Sequence, residues 1–85
     1  MSKQIYHLFT YGNGHNGEYY FDTKELADAF LKKFLRIEMR DHEDDRWFER
    51  ITENNSVGYA IYDDAHGDDY EICGAYYEPI DVITA

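Results

Sequence analysis

The sequence predicts an α+β fold: a small antiparallel sheet with one or two helices packed on one face, in the element order ββααββ. Two observations carry this. Aromatic and β-branched runs cluster at both ends of the chain, over residues 4–11 and 57–77. Between them, one apolar series repeats at helical spacing. Strands at the two ends with helices in the middle favour helices segregated to one side of an antiparallel sheet. Eighty-five residues make one small acidic domain, residues 1–85. A chain of this size buries roughly 60% of the surface that it exposes when unfolded. Its nine Tyr, five Phe and one Trp must therefore supply much of the core. That aromatic content also separates it from disordered chains of similar charge.

Residues 4–11 read as the first strand, and the glycine-rich stretch Gly12 to Gly17 as a turn. Glu18 to Phe21 reads as the return strand of a hairpin. Asp22 is then placed to cap a helix, with Glu25 three positions on as its capping-box partner and Phe21 with Leu26 as a hydrophobic staple. Leu26, Ala27, Phe30, Leu31, Phe34, Leu35 and Ile37 give that helix an apolar stripe, opposite Lys24, Asp28, Lys32, Lys33 and Arg36. The acidic run from Asp41 to Asp45 suits a helix N-terminus. With Trp47, Phe48 and Ile51 behind it, it predicts a second helix over about Asp44–Glu53, ended by Asn54 and Asn55. One long bent helix is the alternative. Val57 to Tyr62 and Tyr70 to Tyr77 read as strands joined by an acidic loop. Pro79 limits any central strand beyond, leaving Ile80, Val82 and Ile83 as a short edge strand or a docked tail.

Charge is the most informative property of the chain. All eight Lys and Arg lie within the first fifty residues, beside ten acids; the rest of the chain holds eight acids and no base. The net charge is −10. Such a field repels nucleic acid and acidic lipid and attracts basic surfaces. It therefore argues against direct nucleic-acid binding and against a membrane partner, and for a basic protein. No window approaches ~18 consecutive apolar residues, the length of a membrane span. Cys73 is the only cysteine, so no intramolecular disulfide forms. This predicts a cytoplasmic setting, the host cytoplasm if the chain is viral. A Met start and a tail fading at Ile83-Thr84-Ala85 fit a short independent gene product.

Several patterns invite a chemical reading. Gly12, Gly14 and Gly17 match G-x-G-x-x-G, but they precede a strand, whereas a dinucleotide site places that motif before a helix. The loop Asp63 to Asp69 contains His66 and Gly67, yet aligning Gly67 with the glycine of a calcium loop puts Tyr62 where the first aspartate belongs. A weak metal site remains open there; no resident metal or cofactor is expected. Cys73 sits in a strand-like setting among acids that weaken a thiolate, so it reads as a core residue and not as a nucleophile. The chain is expected not to be an enzyme.

The carboxylates remain. Asp41, Glu43, Asp44 and Asp45 fall within five positions, and Asp63, Asp64, Asp68 and Asp69 within seven. Residues three or four apart on a helix lie ~5–6 Å from one another, and alternate strand residues ~6.6 Å. Either spacing builds an array of negative charge that phosphate-binding grooves accept. A solvated acidic surface that merely keeps a small protein soluble is the competing explanation. Tyrosines interleave with the later acids, and an acidic, tyrosine-rich face suits arginine through salt links and cation–π contact.

In size and charge the chain resembles the small acidic inhibitors that viruses make against host nucleic-acid enzymes, a class that includes antirestriction and anti-CRISPR proteins. The resemblance is one of charge and length, carries no motif and transfers no residue. It implies a non-enzymatic inhibitor that mimics nucleic acid in the basic groove of a host protein. The residues expected to touch the partner are Asp41, Glu43, Asp44, Asp45, Asp63, Asp64, Asp68 and Asp69, joined by Glu53, Glu71, Tyr62 and Tyr70. The alternative is a small assembly or regulatory protein that forms a homodimer, or binds a partner, through a sheet edge and exposed tyrosines.

Overall fold

Two tight turns set the strand register. Asn13 and Gly14 have φ of 49° and 87°, and Asn54 and Asn55 have φ of 50° and 71°. Two consecutive residues with positive φ form the type I′ turn, whose twist matches that of the strands it joins. The first turn links β1 (Ser2–Gly12) to β2 (His15–Phe21). The second links β3 (Arg46–Glu53) to β4 (Ser56–Asp63), and β5 (Tyr70–Ile83) completes the set. The computed structural model describes residues 2–40, 42, 44–64 and 70–83.

These strands form one antiparallel sheet in the order β2-β1-β5-β4-β3, with a single helix, α1 (Lys24–Met39), between β2 and β3 in the chain. The α+β class holds, but the element order is ββαβββ. The second helix expected over Asp44–Glu53 is strand β3. The three apolar residues there fit a helical stripe, yet Trp47, Phe48 and Ile51 all favour strands. The two asparagines that appeared to end a helix instead return the chain into β4, pairing Glu53 with Ser56.

The helix begins one residue later than Asp22. Thr23 is the N-cap, with its Oγ1 accepting from the Leu26 N–H at 3.2 Å. That shift removes the staple, and two residues of the expected stripe, Leu26 and Ile37, turn away from the sheet and are 54% and 56% exposed. Ala27, Leu31 and Phe34 face the sheet, where they meet Leu8, Ile61, Cys73, Ala75 and Tyr77. Burying one side chain of Leu or Phe size stabilises the fold by about 1.5–3 kcal/mol. Tyr77 is buried to its hydroxyl, which donates to Asp28 Oδ1 at 2.6 Å and so ties the central strand to the helix.

Two details depart from the expected strand ends. β5 runs unbroken through Pro79, which pairs with Tyr6. β4's last pair with β5 is Val57–Tyr77, so beyond it that flank of β5 has no partner among the described residues and tolerates a residue lacking an N–H. Ile80, Val82 and Ile83 are thus part of β5, neither a separate strand nor a tail. Near its other end, the pairing of β5 with β4 jumps from Ile61–Cys73 to Tyr62–Glu71, leaving Ile72 as a bulged residue.

The C-terminal turn of α1 is fixed by a buried carboxylate. Glu38 is 7% exposed and accepts from Asn13 Nδ2 at 3.1 Å, from Arg46 Nη1 at 3.2 Å and from His15 Nε2. Arg46 Nη1 also donates to the Glu38 carbonyl at 2.7 Å. One side chain thereby joins the helix end, the first hairpin turn and the start of β3.

Candidate partner-binding face

Strand alternation sends the core residues to the helix side, and among the described residues nothing covers the opposite face. Across that open face, pairing aligns side chains in rows. Glu49, Ala60, Gly74 and Tyr11 form one row, and Ile51, Gly58, Tyr76 and Phe9 the next. Trp47, Tyr62 and Glu71 lie beyond the first, at the bulged end. The rings are packed against one another. Trp47 stacks on Tyr62 with centroids 4.2 Å apart, Phe9 on Tyr76 at 5.2 Å and His7 on Tyr20 at 4.3 Å.

The cations divide between the two faces, whereas acids lie on both, Asp28, Glu38 and Asp63 being on the helix side. Glu18, Glu49, Glu53, Glu71 and Glu78 belong to the open face by register. Lys24, Lys32, Lys33 and Arg36 ride on the helix, and Arg46 and Arg50 point from β3 to the helix side. Of the cations, Lys3 alone has open-face register among the described residues; it lies at the far end, 3.6 Å from Asp22. His7 Nε2 is 3.1 Å from Glu18 Oε1.

The bulge at Ile72 decides where Glu71 points. Cys73, Ala75 and Tyr77 face the helix, so unbroken alternation would put Glu71 on that side too. The extra residue turns it to the open face beside Tyr62. Tyr62 donates to Glu49 Oε2 at 3.4 Å, and its phenol is pushed above the usual range, by desolvation first and then by the charges of Glu49 and Glu71. Tyr11 is raised further, chiefly by burial and then by its hydrogen bond to Glu71. Both hydroxyls therefore stay protonated and act as donors to carboxylates.

A groove runs along β4. Between its walls lie the small residues Gly58 and Ala60, both buried. A Cβ on Gly58 would sit on the Ala75 carbonyl oxygen, so the closeness of β5 requires glycine there. The β3 edge from Glu49 to Glu53 makes one wall; Tyr11, Tyr76 and Glu78 make part of the other. Two adjoining cavities of about 460 and 450 Å³ share Ile51 and Glu53.

Of the residues expected to bind a partner, Glu53, Glu71 and Tyr62 lie on this face. Asp44 and Asp45 are exposed in the turn before β3, where the Asp64 N–H donates to the Asp45 carbonyl at 2.9 Å. Asp45 and Asp64, one from each acidic stretch of the sequence, thus meet at one end of the sheet. Asp63 does not join the open face: it pairs with Tyr70 and Arg46 in register on the helix side, with its Oδ2 3.6 Å from Arg46 Nε. Tyr70, half exposed, follows it there. Asp41, Glu43, Asp68 and Asp69 lie outside the described residues, as does His66 of the suggested metal loop. Among the described residues no three His, Cys, Asp or Glu side chains come together as a metal set. The sequence reading missed Glu18, Glu49, Glu78, Trp47, Tyr11 and Tyr76. Each obeys strand alternation, and that was the available signal once β3 is known to be a strand.

Cys73 is fully buried, and its thiol is pushed up to about 12, by desolvation first and then by the charge of Glu38. A thiol in that state is no nucleophile at neutral pH. No helix among the described residues is long and apolar enough to cross a membrane. No protein-family model matches the chain, and no curated protein or solved structure matches it either.

Proposed function

We propose that the protein is a non-enzymatic inhibitor that captures the basic, nucleic-acid-binding surface of another protein, offering its acidic and aromatic sheet face in place of nucleic acid. The observation that supports this is the placement of the cations: five glutamates share the uncovered face with stacked rings and almost no cation, while the helix side holds most of the cations beside its own acids. Exposed rings add contact area at low entropic cost, and carboxylates supply charge-assisted bonds to arginine and lysine. The exposed end formed by Asp44, Asp45 and Asp64 extends the same negative field.

The test is inhibition of a panel of purified nucleic-acid enzymes, including restriction endonucleases and RNA-guided nucleases, with DNA retention followed by fluorescence anisotropy. Competitive displacement of DNA is expected from at least one member. It should weaken steeply with salt, because complementary charge acts largely through the encounter rate. Reversing Glu49, Glu53, Glu71 and Glu78 to Lys should abolish it. Inhibition that extra DNA cannot relieve, or that survives the reversal, refutes mimicry by this face.

Self-association is the second reading. It is supported by β3, an edge strand on which Trp47 and Phe48 are 40% and 47% exposed. A dimer built on that edge should persist through size-exclusion at high salt, whereas a charge-driven complex should dissociate.

A further inference from the structure

We infer that the groove along β4 is a receptor for arginine side chains, and that it takes two of them from one extended segment of the partner. The inference rests on the function proposed above and narrows it to a ligand chemistry.

The groove offers two carboxylate stations. At the first, Glu49 and Glu71 stand on either side of β4, beside Tyr62. At the second, Glu53 and Glu78 flank Ser56. Glu49 and Glu53 are four residues apart on one strand, a separation of about 13 Å at ~3.3 Å per residue. An extended partner segment places its own residues i and i+4 the same distance apart, on one face. Arginines at those positions reach both stations together.

The walls favour arginine over lysine. A guanidinium is planar, stacks on aromatic faces and offers parallel N–H donors that match a carboxylate; an ammonium is a compact, strongly hydrated point charge. Ring surface adjoins each station: the Trp47–Tyr62 stack at the first, and Tyr11 and Tyr76 toward the second. The hydroxyls of Tyr62 and Tyr11 hold Glu49 and Glu71 from one side, which orients the carboxylates before a ligand arrives. Arg50 borders the cavity beside Glu49, but the strand register turns its side chain toward the crevice with Lys24, Asp28 and Tyr59 on the other side of the sheet.

The probe is a fluorescein-labelled peptide with the core Arg-Thr-Val-Thr-Arg, titrated with the full chain and read by anisotropy and by amide shift changes in nuclear magnetic resonance. It is expected to bind at least tenfold more tightly than the matching Lys peptide, and more tightly than a peptide whose arginines stand two apart. The pair Glu49→Gln and Glu71→Gln should weaken it about tenfold, while Glu25→Gln on the helix should leave it unchanged; circular dichroism checks that each variant folds. Equal affinity for the Arg and Lys peptides overturns the arginine receptor and leaves general capture of basic surfaces standing. Binding with amide shifts on the helix face, or no binding by any of these peptides, also overturns it. Loss of DNA displacement in the enzyme panel bears on the broader function instead.

Discussion

Replacing Glu38 with glutamine should be among the most damaging conservative changes in this molecule. The carboxylate accepts from Asn13, His15 and Arg46, and its side chain is 9% exposed. Glutamine keeps the volume but turns one acceptor into an NH2 group that faces donors. It also removes the nearest counter-charge of Arg46, whose side chain is 12% exposed. Breaking a buried ion pair by removing one partner costs about 3–5 kcal/mol. Asp63, 3.6 Å from Arg46 Nε, retains part of the compensation, which places the expected loss near the low end, about 3 kcal/mol. For a domain of this size that corresponds to a fall in Tm of roughly 12–24 °C. Urea unfolding followed by Trp47 fluorescence measures the loss, and pH supplies a second readout. Burial alone would raise the Glu38 carboxyl, but the hydrogen bonds from His15 and Asn13, with the charges of His15 and Arg46, outweigh it and hold the group below its usual range. A group depressed in the folded state contributes stability above its unfolded value, about 4.3 for Glu, and loses it as pH falls through the folded value. The gap between the parent and Glu38→Gln should therefore be full at pH 6 and shrink as pH falls from about 4.5 toward 3. A loss under about 1 kcal/mol, or a gap that does not change with pH, would refute the role given to this carboxylate.

Three further outcomes are expected. Gly58→Ala should destabilise by about 2–3 kcal/mol, since the new methyl meets β5 backbone and not a mobile side chain; a denaturation midpoint close to the parent's would mean that the strands are spaced more loosely than described. Tyr77→Phe should cost about 1.5–3 kcal/mol through the lost bond to Asp28, read as a shift in urea midpoint with an unchanged slope. Cys73, with its thiol near 12, should resist a disulfide-exchange reagent at pH 8 in the native state and react at once in urea; fast native labelling would contradict its burial.

Local signals made most of the fold legible. The first hairpin, the helix stripe and the aromatic runs of β4 and β5 each follow from propensity and periodicity within a short window. The error at β3 shows where such signals compete. Trp47, Phe48 and Ile51 satisfy a helical spacing, and the acids before them suit a helix start. The same residues also alternate as Trp47, Glu49, Ile51 and Glu53 against Phe48 and Arg50. The asparagine pair, with its tolerance of positive φ, joins the strand propensity of Trp47, Phe48 and Ile51 in favouring the hairpin. The face was less legible than the fold, because it is assembled from long-range pairing. The sequence reading weighted acids that are neighbours along the chain, whereas the sheet gathers Glu18 from β2, Glu49 and Glu53 from β3, and Glu71 and Glu78 from β5. The bulge at Ile72 reverses the sidedness of every residue before it in β5. No pattern in residues 70–77 announces that reversal.

The open face is a consequence of element count as much as of sequence. One helix of sixteen residues spans about 24 Å and packs on one side of β1, β2, β4 and β5. A second layer would need chain that the described elements do not contain. The uncovered side nevertheless carries Phe9, Tyr11, Tyr76, Trp47 and Tyr62, residues that a purely solvated surface does not require. Rings stacked in pairs hide part of their own area, which lowers the cost of leaving them in water. The glutamates around them keep two copies from meeting face to face, since that contact would oppose five carboxylates with five. Under the proposed function, an apolar patch bordered by one sign of charge disfavours face-to-face contact with a second copy and with nucleic acid, and favours a cationic surface. That asymmetry ties the choice of partner to the sheet register. A substitution that slips β3 by one residue would carry Glu49, Ile51 and Glu53 to the helix side and Arg50 to the open face. It would abolish the proposed binding without deleting a single carboxylate.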